Sequence, residues 1–214
     1  MDGNMTSQQH ESKVKILDAT IDVIRSKGYA ATSVDDICKA SALTKGSFFH
    51  HFKSKDELAI AAVDRFATKA AGYFEMAPYQ KLTDPGDRVL GYVDFRIAML
   101  KGKVSEFTCL FGTLVQETYE THPAIREACE RHLSVHAAKL AADIAEAKEQ
   151  YSPKASWSPE SLTQFIEAAL QGAFIMAKTK QRAAPAEDCL QHLRRYLETQ
   201  LGRDKQTNRQ RKGK

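Results

Sequence analysis

Apolar residues recur at spacings of three and four along nearly the whole chain, and no stretch alternates β-branched with polar residues between turns. That periodicity confines the chain to an all-α fold of about nine helices. The first spans Glu11 to Lys27, with Ile16, Leu17, Thr20, Ile21 and Ile24 on one face and Gly28 placed to cap its end. Ser33 caps a short second helix reaching Ala40, with Asp36 at the position from which a side chain reaches back. Thr44 opens a third helix through about Phe52, and Ser54 a fourth that turns Leu58, Ala61, Ala62 and Phe66 inward.

Past Ala77 the punctuation changes. "APYQKLTDPGD" is a loop rich in turn residues, and longer helices follow it. Asp84-Pro85 starts one carrying Val89, Leu90, Val93 and Ile97, and the next runs from Glu106 to Glu120. His122-Pro123 opens another, to about Gln150. Ser158 and Pro159 begin a helix ending near Thr179, the proline sitting where a missing N–H is harmless. The last helix, Pro185 to Leu201, puts Cys189, Leu190, Leu193 and Leu197 on one stripe. A C-terminal helix pair this apolar predicts a homodimer through the last two helices.

The 214 residues suffice for one large domain or for a small module beside a larger one. A net charge of +4 is too mild to identify a polyanionic partner by itself, but its distribution is informative. Between Ile37 and Lys55 there is no acidic residue, while Lys39, Lys45, Lys53 and Lys55 all fall there. The four cysteines are scattered without a C-x-x-C pair, which fits a reducing, cytoplasmic setting. The first residues are polar, and no apolar run approaches the roughly 20 residues that span a bilayer, so no membrane partner is expected.

The same window holds "SALTKGSFFHHFKSKDEL", where phenylalanines, histidines and lysines crowd around one glycine. On a helix at about 100° per residue, Phe48 and Phe52 share the inner side. Gly46 and His50 fall opposite, flanked by Ser47 and Phe49, and Lys45, Lys53 and Lys55 surround that outward arc. Two short capped helices joined by a tight turn have the outline of a helix-turn-helix. Enzyme chemistry finds little support. Adjacent His50 and His51 point about 100° apart with no carboxylate in the window to orient them. No nucleophile elbow, phosphate-cradling glycine loop or H-E-x-x-H motif occurs, and no cofactor is called for. Cys129, His132 and His136 share a helical face as metal ligands do, but no fourth ligand accompanies them. A helical small-molecule or metal-binding protein without specific DNA binding is the alternative reading.

"ATSVDDICKASALTKGSFFHHFKSKDEL", with "ILDATIDVIRSKG" before it, resembles the DNA-binding domain of the TetR family of bacterial transcriptional regulators from about Glu11 through Phe66. The resemblance implies a three-helix helix-turn-helix domain at 11–55, a connecting helix from 55 to 76, and a larger ligand-binding and dimerisation domain at 77–201. Residues 1–10 and the basic tail 202–214 are expected to be disordered. The helix from Thr44 to Phe52 is then the one entering the major groove. Ser33, Thr44, Lys45, Ser47, Phe49, His50 and Lys55 become the expected DNA contacts, with Gly46 allowing close backbone approach. Phe49 stands where the family usually has Tyr, and Lys53 where it often has Pro.

For the larger domain, the resemblance implies a homodimeric repressor released from a palindromic operator by a small molecule held among the helices. Phe95, Met99, Phe107, Phe111, Tyr119, Trp157, Phe165, Phe174 and Met176 are candidate lining residues, of a type that also makes plain core. "CLFGTLVQETYETHPAIREAC" and "ALQGAFIMAKTK" resemble a TetR branch with a Cys-Leu motif, some of whose members respond to electrophiles or oxidants. Cys109 is the matching thiol and Lys178 its candidate cationic partner. Whether Cys109 is reactive or an inert buried thiol stays open from the sequence.

Overall fold

The computed structural model describes residues 2–203, with side chains from Gln9 onward. Ten α-helices and one 3₁₀ turn make up its regular structure: α1 (Asp2–Lys27), α2 (Val34–Ser41), α3 (Lys45–His51), α4 (Lys55–Glu75), the 3₁₀ turn (Pro78–Lys81), α5 (Pro85–Ala98), α6 (Val104–Phe107), α7 (Leu110–Thr118), α8 (Pro123–Tyr151), α9 (Pro159–Lys180) and α10 (Ala184–Gln200). No strand occurs among the described residues.

Two boundaries differ from the periodicity. α1 begins at Asp2, ahead of Glu11, over a stretch with no apolar stripe. The helix expected over Glu106 to Glu120 is two helices. Arg25 Nε donates to the Thr108 carbonyl at 2.7 Å, and Cys109 is extended with φ −80° and ψ 128°, so helical bonding stops there and restarts at Leu110.

The chain packs as two units. The first holds residues 1–71 and 108–133, the second 72–107 and 134–214, so α4 and α8 each contribute to both. This division by packing differs from a linear boundary near residue 77. Residues 108–133 join the first unit because Leu110, Phe111, Leu114, Ile125, Ala128 and Cys129 share a core with Ile16, Ile24, Ile37, Phe48, Leu58 and Val63. Polar contacts hold the same segment. The Glu117 carboxylate accepts the Ala30 N–H at 2.8 Å and occupies the space a Cβ on Gly28 would need, at the left-handed turn (φ +87°) that ends α1. Tyr29 donates to Asp56 while the His122 ring stands edge-on to it at 5.3 Å.

The second unit is centred on α5, α9 and α10 with the later part of α8. Asp84 caps α5 and Ser158 caps α9, each with proline next, as their local sequences predict. Arg88 ties α5 to α8 through Asp143 at 2.7 Å and through Glu146. Gly202 and Arg203, the start of the expected disordered tail, are described. Arg203 pairs with Asp84 at 2.9 Å and Asp87 at 2.7 Å. The tail from 204 onward lies outside the described residues, as does Met1. No helix among the described residues is long and apolar enough to cross a membrane.

Candidate nucleic-acid interface

Local capping chemistry sets the geometry of α2 and α3. The Ser33 hydroxyl accepts the Asp36 N–H at 3.2 Å and donates to the Asp36 carboxylate, which also accepts the Ser33 N–H at 2.8 Å. Lys27 at 2.6 Å, with these Ser33 bonds, holds the Asp36 carboxyl well below the usual carboxylate range. Ala42 in the left-handed region (φ 56°) closes α2, and Thr44 caps α3 by accepting the Ser47 N–H at 3.2 Å. The turn between the helices is thus specified at both ends.

α3 divides its side chains as a 100° step requires. Phe48 and Phe52 are 0% and 2% exposed, whereas Phe49 is 57% exposed and stands edge-on to Phe48. His50, Lys45 and Gly46 are exposed, and Ser47 is half-buried. A Cβ added at Gly46 would meet only Thr44 Oγ1 at 3.7 Å, an ordinary contact, so nothing within the chain requires glycine there. Lys45 pairs with Asp35 at 2.7 Å, but both side chains are mostly exposed, and such a pair is weak enough to yield to a phosphate.

Lys55, expected among the DNA contacts, has partners within the chain. Its ammonium donates to the carbonyls of Tyr29 and Thr32, both at 3.1 Å, and lies 4.1 Å over the Tyr29 ring. The lysine satisfies carbonyls of the turn between α1 and α2. Lys55→Ala is expected to lower the free energy of unfolding by about 2 kcal/mol, as loss of charge-assisted hydrogen bonds does. The salt dependence of DNA binding should hardly change. An unchanged denaturation midpoint with a flatter salt slope would put Lys55 back among the phosphate contacts.

One feature beside α3 was not legible. Ser12 Oγ lies 2.6 Å from His51 Nε2, and a surface groove runs between α1 and α3, lined by Gln9, Ser12, Lys15, Ser47 and His50. Residues 39 positions apart form this contact, and no local signal marks it.

The expected effector residues divide between the units. Cys109, Phe111 and Tyr119 belong to the first, and Phe95, Phe165, Phe174 and Lys178 to the second. Phe111 is core, edge-on to Phe66 and stacked on His132. Tyr119 at 60% and Phe165 at 47% exposed lie at the surface instead of lining an interior. Phe165 packs on Tyr196 with centroids 5.0 Å apart, and Trp157 clasps Lys148 through its ring and its carbonyl. Phe95 and Phe174 do face the inside of the second unit, Phe95 against Phe74 and Tyr79 and Phe174 against Phe107. Cys109 is half-buried at the start of α7 and makes no cap bond there.

Cys129, His132 and His136 do not converge. Cys129 is fully buried, and burial followed by the nearby Cys109 pushes its thiol up to about 12. His132 Nε2 lies 2.7 Å from Asp64 Oδ1. His136 Nε2 lies 3.0 Å from Tyr92 Oη, which in turn donates to Glu167 at 3.2 Å.

Burial holds the His136 pKa below its ordinary value, with Glu167 opposing and Arg96 and Lys139 reinforcing the shift. The unfolded chain therefore takes up this proton first. The stability it contributes is complete above about pH 6.5 and is lost as pH falls through the folded-state value. Thermal denaturation between pH 7 and pH 5 should show this loss, and His136→Gln should remove that part of it.

These elements define a helix-turn-helix DNA-binding protein with a second helical unit. Residues 16–62 match the family model described as bacterial regulatory proteins, tetR family, and residues 85–193 match the tetracyclin repressor-like C-terminal domain. The chain belongs to the TetR family and is a DNA-binding transcriptional regulator; that family and the relatives below are regulators, not enzymes.

The transcriptional regulator AcuR of Cereibacter sphaeroides is 25% identical over 193 residues, covering 90% of this chain and 87% of AcuR. The transcriptional repressor NemR of Escherichia coli K12 is 22% identical over 194 residues, covering 89% of this chain and 96% of NemR. A TetR transcriptional regulator from Chloroflexus aurantiacus shares the fold with a TM-score of 0.79 at 23% identity, covering 91% of this chain and 98% of that one.

Proposed function

We propose that the chain is a repressor acting as a homodimer. Its two α3 helices enter successive major grooves of a palindromic operator, and a small molecule bound in the second unit releases it. The observation carrying the DNA half is the exposed arc of Gly46, Phe49 and His50 over a buried Phe48. Thr44, Lys45, Ser47 and Ser33 flank that arc as further contacts, to phosphate and sugar more than to base edges.

Support for the dimer comes from the outer face of α9 and α10. Phe165, Ile175 and Met176 on α9 and Tyr196 on α10 are large apolar residues left exposed in a single protomer. Exposed Ala168 and Gly172 lie between them on the same stripe, small enough for a partner helix to approach closely. A four-helix interface would cover this surface.

Selection of bound sequences from a random DNA pool tests the reading. A palindrome with half-site centres about 34–36 Å apart is expected. Enrichment of no sequence, with binding that simply disappears at high salt, would reduce the interaction to nonspecific attraction. On the selected operator, Phe49→Ala should weaken binding about tenfold, the scale of one lost base contact, without moving the melting temperature.

Cys109 carries a second reading, in which an electrophile or oxidant is the effector. Its supporting observation is the half-buried thiol, uncapped, at the N-cap of α7. If Cys109 alkylates no faster than a model thiol, and Cys109→Ser keeps the response to effector, this reading is out.

A further inference from the structure

Within the second unit, the end of α4, α5, α8 and α9 bring together Phe74, Tyr92, Arg96, His136, Glu167 and Phe174. We propose that this cluster binds a small monocarboxylate with a planar apolar body, its carboxylate held by the Arg96 guanidinium. The proposal rests on the reading that the second unit holds the effector, and it names the effector's chemical class.

Arg96 stands apart from the other half-buried arginines among the described residues. Arg65 pairs with Asp18, Arg88 with Asp143 and Glu146, Arg194 with Asp94 and Glu198, and Arg203 with Asp84 and Asp87. Arg25 donates to a carbonyl. The contacts of Arg96 are with ring faces, 5.4 Å from the Phe74 centroid and 5.5 Å from that of Phe174. Rings cover the flat faces of a guanidinium and stabilise its charge, but they accept none of its in-plane N–H donors. That planar fork matches a carboxylate and binds it through two parallel hydrogen bonds.

The neighbouring acid does not take this role. Glu167 accepts from the Tyr92 hydroxyl at 3.2 Å and lies 3.8 Å from His136 Nε2. Burial keeps His136 toward its neutral form, and the positive charge of Arg96 is felt at Tyr79, Tyr92 and His136 alike. The nearby Lys139 is paired with Glu75 at 3.2 Å. One guanidinium that pairs with no acid among the described residues suits a carboxylate monoanion. Phe74, Phe95 and Phe174 supply the apolar walls for a planar body.

Calorimetric titration of the full chain with benzoate, phenylacetate and cinnamate, each beside its neutral amide, tests the site. At least one acid should bind with a dissociation constant below about 1 mM and raise the melting temperature, while its amide binds at least tenfold more weakly. Arg96→Gln should erase that preference and leave ligand-free operator affinity unchanged. No binding by any acid, equal binding of acid and amide, or a preference surviving in Arg96→Gln would overturn the proposal. Operator binding by ligand-free wild-type protein is measured in parallel; its absence would overturn the regulator reading and leave the carboxylate site standing.

Discussion

Replacing Gly46 with Glu is expected to leave the chain folded and slightly more stable while lowering operator affinity by about 100-fold. The two effects have opposite signs because they arise on opposite sides of α3. Inside the chain, a side chain at this position meets only Thr44 Oγ1 at van der Waals distance. Exchanging a helical glycine for another residue typically stabilises by about 0.5–1 kcal/mol, and an acid in the first turn favours the helix further. Outside the chain, the same side chain puts bulk and negative charge where the backbone of α3 must approach a duplex. Thermal denaturation and fluorescence anisotropy on the selected operator separate the two. A loss of binding accompanied by a lower melting temperature would mean that Gly46 serves the fold and not the interface.

Gly172→Arg applies the same logic to the dimer. A Cβ at Gly172 meets nothing within 4 Å in the protomer, so the monomer should fold normally and gain helix propensity in α9. A partner helix packed between Phe165 and Met176 would meet the new side chain directly. Sedimentation should show a monomer where the wild type is a dimer. Operator affinity should fall by about 100-fold or more, since each α3 then binds its half-site without the effective concentration its twin provides. A Gly172→Arg protein that remains dimeric would move the interface away from the α9 stripe.

Features governed by interactions over three or four residues were legible beforehand. Ser33, Thr44, Asp84 and Ser158 each cap the helix their sequence context assigns them, because a cap needs only a side-chain oxygen and the N–H two or three residues on. The inward Phe48 and Phe52 and the outward Phe49 follow from helical pitch alone. With them came the all-α class and the position of the recognition helix.

Features governed by distant parts of the chain were not. Lys55 looks like a free charge at a helix start until the fold brings the carbonyls of Tyr29 and Thr32 within reach of its ammonium. Tyr119 and Phe165 fit an apolar lining by residue type, yet their neighbours in space leave them at the surface. The segment 108–133 follows the sequence boundary near residue 77 but packs with α1 to α4, and the expected single helix breaks at Thr108 and Cys109 where the chain passes between units. Arg96 is one arginine among many in the sequence. Tertiary packing gives it two phenyl rings and, among the described residues, no paired acid, because apolar burial is non-directional and the pairing of charges depends on which helices happen to meet.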